Sequence, residues 1–137
     1  MIAVLDSNVL LVALGKHSRF RPIWDKFVAG FYRLTISEDI LHEYEEILLE
    51  HSAPGVAELV LETFVESPDI LYQRIYYNWN VITSDPDDNK FFDAAVAGDV
   101  DYLVTDDGHF DQAKKLGFPK VNIISSNEFL QILAELT

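Results

Sequence analysis

The feature that most constrains this chain is its opening: Ile2-Ala3-Val4-Leu5 is an unbroken apolar tetrad that stops on Asp6. A strand whose consecutive side chains are all apolar must be covered on both faces, which places it inside a parallel sheet packed between helices. The pattern then repeats. Leu34-Thr35-Ile36 and Tyr102-Leu103-Val104 are further short strands, Val121 to Ile124 is a last one, and Val81-Ile82 is the best strand candidate in the aromatic, β-branched stretch from Ile70 to Ile82.

Helical spacing fills the intervals. Asn8 to Leu14 starts a helix, and Phe20, Ile23, Trp24, Phe27 and Phe31 recur as one stripe of a second helix over Ser18 to Phe31. Ser37 caps a third, with Glu38 and Asp39 in its first turn, ending near His51 or Ser52. Pro54-Gly55 opens a fourth through about Glu66, whose buried side carries Val56, Leu59, Val60, Thr63 and Phe64. Asp85-Pro86-Asp87-Asp88 leads into a fifth closed by Gly98, Gly117 closes a short helix, and Ser126 caps a C-terminal one through Leu136. Strands alternating with helices specify an α/β fold with a mostly parallel central sheet and helices on both faces, expected to be a single domain over 1–137.

In open α/β sheets ligands bind beyond the carboxyl ends of the strands, and two strands here run directly into aspartates: Leu5 into Asp6, and Val104 through Thr105 into Asp106-Asp107. Asp88 and Glu43 sit on or near the flanking helices and can complete a carboxylate cluster. Such a cluster repels itself unless cations occupy it, and oxygen-only ligands suit Mg²⁺ or Mn²⁺ rather than zinc. Taken singly, each acid has a plainer reading: Asp6 as a helix cap, Asp85 to Asp88 as a turn and cap, and Glu43, Glu45, Glu46 and Glu50 as a solvated face with at most one turned inward. The four histidines show no metal-ligand spacing as a set and read as surface residues. The joint pattern favours the cluster.

Charge constrains the partners. A formal net charge of −13 is the wrong sign for binding nucleic acid by charge alone, though bound divalent ions invert the local field. Lys16, Arg19, Arg21, Lys26 and Arg33 are half of the 10 basic residues, so phosphate contacts are expected there, from Lys16, Arg19 and Arg21 above all. The absence of cysteine excludes disulfides, thiolate zinc sites and thiol nucleophiles and fits a reducing compartment. No apolar run approaches membrane-spanning length and no leader pattern follows Met1, so a cytoplasmic protein is expected.

Val4-Leu5-Asp6-Ser7-Asn8-Val9-Leu10 resembles the opening motif of PIN-domain nucleases, an apolar strand followed by Asp-(Ser/Thr)-Asn. Ser37 with Glu43 resembles that family's second acidic position, Asp85-Pro86-Asp87-Asp88-Asn89-Lys90-Phe91 its third, and Leu103-Val104-Thr105-Asp106-Asp107 its Thr-x-Asp fourth. The resemblance covers nearly the whole chain and is strongest to the toxin components of bacterial toxin and antitoxin pairs. It implies a PIN-like fold and a ribonuclease whose Asp6, Glu43, Asp88 and Asp107 bind Mg²⁺ or Mn²⁺ and carry catalysis. It implies further that Asn8 orients Asp6 or contacts RNA, that Thr105 belongs to the substrate-binding set, and that an antitoxin protein covers the acidic cleft. Thr-x-Asp spacing selects Asp107, leaving Asp106 either exposed or at a second ion. His109 stands where many relatives carry a further acid.

Two rival readings remain in view. A phospho-acceptor receiver domain needs a lone aspartate ending a mid-chain strand, where this chain has Ser37, and a non-catalytic PIN-like binding module does not need the complete acidic set. The apolar residues of Val56 to Phe64, with Tyr72, Tyr76 and Tyr77, exceed what a small domain readily buries, so a homodimer is expected. Tyr76, Tyr77 and Trp79 are candidates for base stacking, with core or dimer packing the preferred role.

Overall fold

A computed structural model describes residues 1–136. Five strands, β1 (Ile2–Leu5), β2 (Arg33–Ile36), β3 (Ile70–Tyr72), β4 (Tyr102–Val104) and β5 (Ile123–Ile124), form one sheet in the order β3-β2-β1-β4-β5. Every pairing is parallel. The helices are α1 (Ser7–Ala13), α2 (Arg21–Val28), α3 (Glu38–His51), α4 (Val56–Glu66), α5 (Asn89–Ala97), α6 (Asp111–Lys114) and α7 (Ser126–Ala134). Ala3, Val4 and Leu5 are all buried although successive strand residues point to opposite faces, so helices cover the sheet on both sides. The α/β architecture read from the sequence is the one observed.

Because β1 is central and pairs with both β2 and β4, the chain reverses its winding direction there, and the carboxyl ends of β1 and β4 open a crevice at that point. The pairing Leu5↔Val104 puts the two strand ends level, so Asp6 and the Thr105 to Asp107 segment leave the sheet side by side. Asp6 N–H still donates to the Val104 carbonyl at 3.0 Å, which continues the ladder by one residue and fixes the aspartate's backbone.

The departures from the expected elements have local causes. The helix expected to reach Phe31 ends at Val28, because Gly30 takes a left-handed backbone (φ +84°) that halts it. Phe31 is consequently exposed, with the Lys26 ammonium 4.4 Å from its ring centroid, while Ile23, Trp24 and Phe27 are core as expected. On α4, Ala57, Val60 and Phe64 face inward, but Leu59 is exposed. Val81-Ile82 is not a strand. Ile82 is buried, yet its N–H and C=O are both met by the Asn89 side-chain amide at 2.9 Å, so that side chain takes the place of a neighbouring strand. The strand of that region is β3, pairing with β2 at the sheet edge through Leu34↔Ile70. At the C-terminal end, Ser125 rather than Ser126 caps α7, in a reciprocal box with Glu128.

Candidate metal centre

Asp6 sits at the N-cap position of α1 but makes no side-chain cap bond. Its carboxylate turns instead toward β4, where the Thr105 hydroxyl donates to Oδ2 at 2.8 Å. Thr105 Oγ1 also accepts from the Asp107 N–H at 3.1 Å, so one buried threonine holds both strand-end acids in register. Thr105, expected from the sequence in the substrate-binding set, is only 2% exposed and lies beneath the two acids that it holds.

Glu43 arrives from the middle of α3. Ile40, Tyr44 and Leu48 anchor that helix in the core, and the Tyr44 hydroxyl donates to the Leu5 carbonyl, which draws α3 against the end of β1. Of the acids at 43, 45, 46 and 50, Glu43 alone is half-buried; the other three are exposed. Its two carboxylate oxygens have separate partners: the Ser7 hydroxyl donates to Oε2, and the Lys90 ammonium donates to Oε1 at 3.0 Å. Lys90 and Ser7 are members of the site that sequence spacing did not single out.

Asp88 closes the turn before α5. Asp85 caps that turn by accepting from the Asp87 N–H, as the plainer reading held, but Asp88 does not cap. It is 8% exposed, and its Oδ2 has no hydrogen-bond partner among the described residues. His109 Nδ1 lies 3.3 Å from that oxygen, 3.1 Å from Asp107 Oδ1 and 3.6 Å from Asp85 Oδ2. Asp107 Oδ1 also accepts from the His109 N–H at 2.9 Å.

The electrostatics follow from this crowding. Burial raises the Asp6 carboxyl above its ordinary range; the Thr105 hydrogen bond opposes that shift, and Asp107 and Glu43 add to it. Asp88 is pushed up to about 6, first by burial and then by the charges of Asp85, Asp6 and Asp107, with His109 acting in the opposite direction. Of the four acids expected from the sequence to converge, Asp6 thus feels the charges of Asp107 and Glu43, and Asp88 those of Asp6 and Asp107. A third buried acid, Asp93 on α5, is also raised by burial, but it accepts from the Trp79 N–H at 3.1 Å and serves to hold that segment.

The remaining expected residues divide. Asn8 lines a cleft with Asp6, Asp106, Asp107 and Phe20. Asp106 is neither free nor turned toward Asp88: its Oδ1 accepts from the Ser126 N–H at 2.9 Å and its Oδ2 from the Ser126 hydroxyl at 2.6 Å, tying α7 to the end of β4. Arg21 is engaged by the Leu14 carbonyl at 2.6 Å and by Asp25 at 3.0 Å. Arg19 is exposed and stacks 5.1 Å above Phe20, which places it at the cleft rim, and Lys16 is exposed. Trp79 packs against the core, whereas Tyr76 and Tyr77 are exposed.

The donors fit a divalent cation. Carboxylate oxygens converge at the carboxyl end of the sheet, and one of them is a buried oxygen without a partner, which is costly unless a cation meets it. Oxygen-rich donors of this kind suit Mg²⁺ or Mn²⁺. Asp85, Asp88 and His109 each offer one ligand atom within 4.8 Å of the others.

Comparison with curated proteins gives no sequence match. Among solved structures, one chain of the crystal structure of VapBC2 from Rickettsia felis bound to a DNA fragment from their promoter is similar, with a TM-score of 0.62. The match is 18% identical and covers 91% of this chain and 98% of that one. A family model described as PIN domain matches residues 3–109, from β1 through Asp6, Glu43, Asp88 and Asp107 to the turn that carries His109. That match spans more than half of the sequence, and the chain belongs to the PIN domain family.

Proposed function

We propose that this protein is a metal-dependent endoribonuclease that hydrolyses RNA phosphodiester bonds and acts as the toxin of a toxin and antitoxin pair. The observation that carries the reading is the crowding of acids at the strand ends: Asp6 feels Asp107 and Glu43, Asp88 feels Asp6 and Asp107, and one buried Asp88 oxygen has no hydrogen-bond partner among the described residues.

These four acids would hold Mg²⁺ or Mn²⁺, which, when bound, activates water for in-line attack and neutralises charge developing on the phosphate. The chain's own residues prepare the site. Thr105 keeps Asp6 hydrogen-bonded through Oδ2 and fixes the Asp107 backbone, while Ser7 and Lys90 immobilise Glu43 from two sides. Fixing carboxylates in advance removes the reorganisation that a flexible cluster would undergo on loading. Asn8 faces the cleft beside Asp6, and Arg19 and Lys16 supply positive charge beyond it for the RNA backbone.

The antitoxin half of the reading is supported by family membership, by the likeness to a VapBC2 chain and by the acidic cleft. A partner segment bearing Arg or Lys would neutralise that cleft and compete with metal, as Lys90 already does at Glu43 on a small scale. Exposed Leu59, Val65, Tyr72, Tyr76 and Tyr77 support self-association. The test is sequencing of RNA ends after expressing wild type and Asp6→Asn in parallel. New 5′ ends confined to wild type, suppressed by co-expression of a partner protein recovered with the chain from its native cell, are the expected result; identical end profiles would reject the reading.

A further inference from the structure

The Asp85, Asp88 and His109 side chains belong to different short segments. Asp85 and Asp88 flank the turn before α5, and His109 lies in the turn after β4. Their ligand atoms nevertheless converge. His109 Nδ1 stands 3.3 Å from Asp88 Oδ2 and 3.6 Å from Asp85 Oδ2, with Asp107 Oδ1 at 3.1 Å on the near side. A single imidazole N–H can satisfy one carboxylate, and here one ring nitrogen faces three. The Asp88 oxygen it faces has no hydrogen-bond partner among the described residues and belongs to a residue 8% exposed, so the arrangement suits a cation that several oxygens can share.

The spacing suits an ion. Donors bound about 2.0 to 2.2 Å from one metal and separated by octahedral or tetrahedral angles stand about 3.0 to 3.5 Å apart. The His109 to Asp88 and His109 to Asp107 separations fall in that range, and Asp85 lies marginally beyond it. We propose that His109 Nδ1, Asp88 and Asp85 form a mixed nitrogen and oxygen position at the edge of the carboxylate cluster, which selects a first-row transition ion over Mg²⁺. The selectivity follows from the imidazole. Mg²⁺ takes hard oxygen ligands and keeps its waters, whereas Mn²⁺, Co²⁺ and Zn²⁺ accept a ring nitrogen. Asp88 would be shared between this position and the acids at the strand ends. His109 is 45% exposed through its side chain, so it is reachable by an incoming ion and replaceable without opening the core.

This inference rests on the metal-binding reading of the site but can fail separately from it. The experiment adds Mn²⁺ alone to the metal-free full chain and records electron spin echo spectra, whose nitrogen modulation reports direct ligation by imidazole. Wild type is expected to show the modulation, and His109→Asp, which keeps an oxygen donor, is expected to bind Mn²⁺ without it. Competition by Mg²⁺ should show the preference for Mn²⁺ falling ~tenfold in His109→Asp. Mn²⁺ bound by wild type with no nitrogen modulation, or modulation that survives in His109→Asp, overturns the assignment of His109 and leaves the carboxylate site standing. Failure of wild type to bind Mn²⁺ at all overturns both.

Discussion

Asp88 allows the sharpest test of the electrostatics. Its carboxyl is pushed up to about 6 in the folded protein from an ordinary value of 3.8. For an acid with a raised folded pKa, the native state holds its proton more tightly than the unfolded chain. The fold is then unpenalised below the unfolded pKa and loses stability as pH rises to the folded one. A rise from 3.8 to about 6 corresponds to up to about 3 kcal/mol above that pH. Asp88→Asn keeps the shape and removes the charge, so the metal-free variant should be more stable than wild type by that order at about pH 8. For a chain of this size, that raises the melting temperature by roughly 10 °C. Near pH 4.5 wild type is already protonated at this position, and the gain should fall below about 1 kcal/mol. Saturating Mn²⁺ should reverse the order, because only wild type gains full binding free energy. Thermal melts in chelator and in Mn²⁺ at the two pH values measure all three. A gain that is the same at both, or a variant less stable than wild type in chelator at about pH 8, would refute the claim that Asp88 is held ionised at a cost.

Thr105→Val removes the donor that stabilises ionised Asp6, so the acidic limb of the pH–rate profile should move to higher pH, and stability should fall by about 1–3 kcal/mol; an unmoved limb would contradict the positioning role. Asp106→Ala, which releases Ser126, should cost about 1–3 kcal/mol in denaturant melts and leave Mn²⁺ affinity unchanged in calorimetry. Weakened Mn²⁺ binding would instead make Asp106 a ligand. Asn89→Ala strands the N–H and C=O of buried Ile82, and a loss of about 2–3 kcal/mol is expected, with hydrogen exchange accelerated at residues 80–84. Lys90→Met should cut RNA cleavage while changing stability by less than about 1 kcal/mol, since the ion pair with Glu43 is partly solvated.

The parts of this structure legible in the sequence are those set by local pattern. Continuous apolar runs mark β1 and β4, and the rule that parallel strands present their carboxyl ends to ligands puts Asp6 beside Asp107 from sequence alone. Spacing allowed at most one of Glu43, Glu45, Glu46 and Glu50 to turn inward, and the anchoring of Tyr44 against Leu5 is what brings Glu43 to that face. What escaped was contact across long separations. Ser7 and Lys90 reach Glu43 over 36 and 47 residues, and nothing in their spacing encodes it. Val81-Ile82 carries stronger β propensity than its role needs, because Asn89 satisfies its backbone, while the half-buried edge strand Ile70–Tyr72 shows little alternation. His109 is exposed as expected, but its ring is aimed at carboxylates that only the folded turn brings near.

The most direct test of the central claim is cleavage of a structured RNA by the purified chain, followed with Mg²⁺, with Mn²⁺ and with chelator, in wild type and in Asp6→Asn. The account predicts cleavage by wild type only when a divalent ion is present, and a loss of at least ~100-fold in Asp6→Asn at unchanged fold. Cleavage that persists in chelator, or an Asp6→Asn protein as active as wild type, would contradict it.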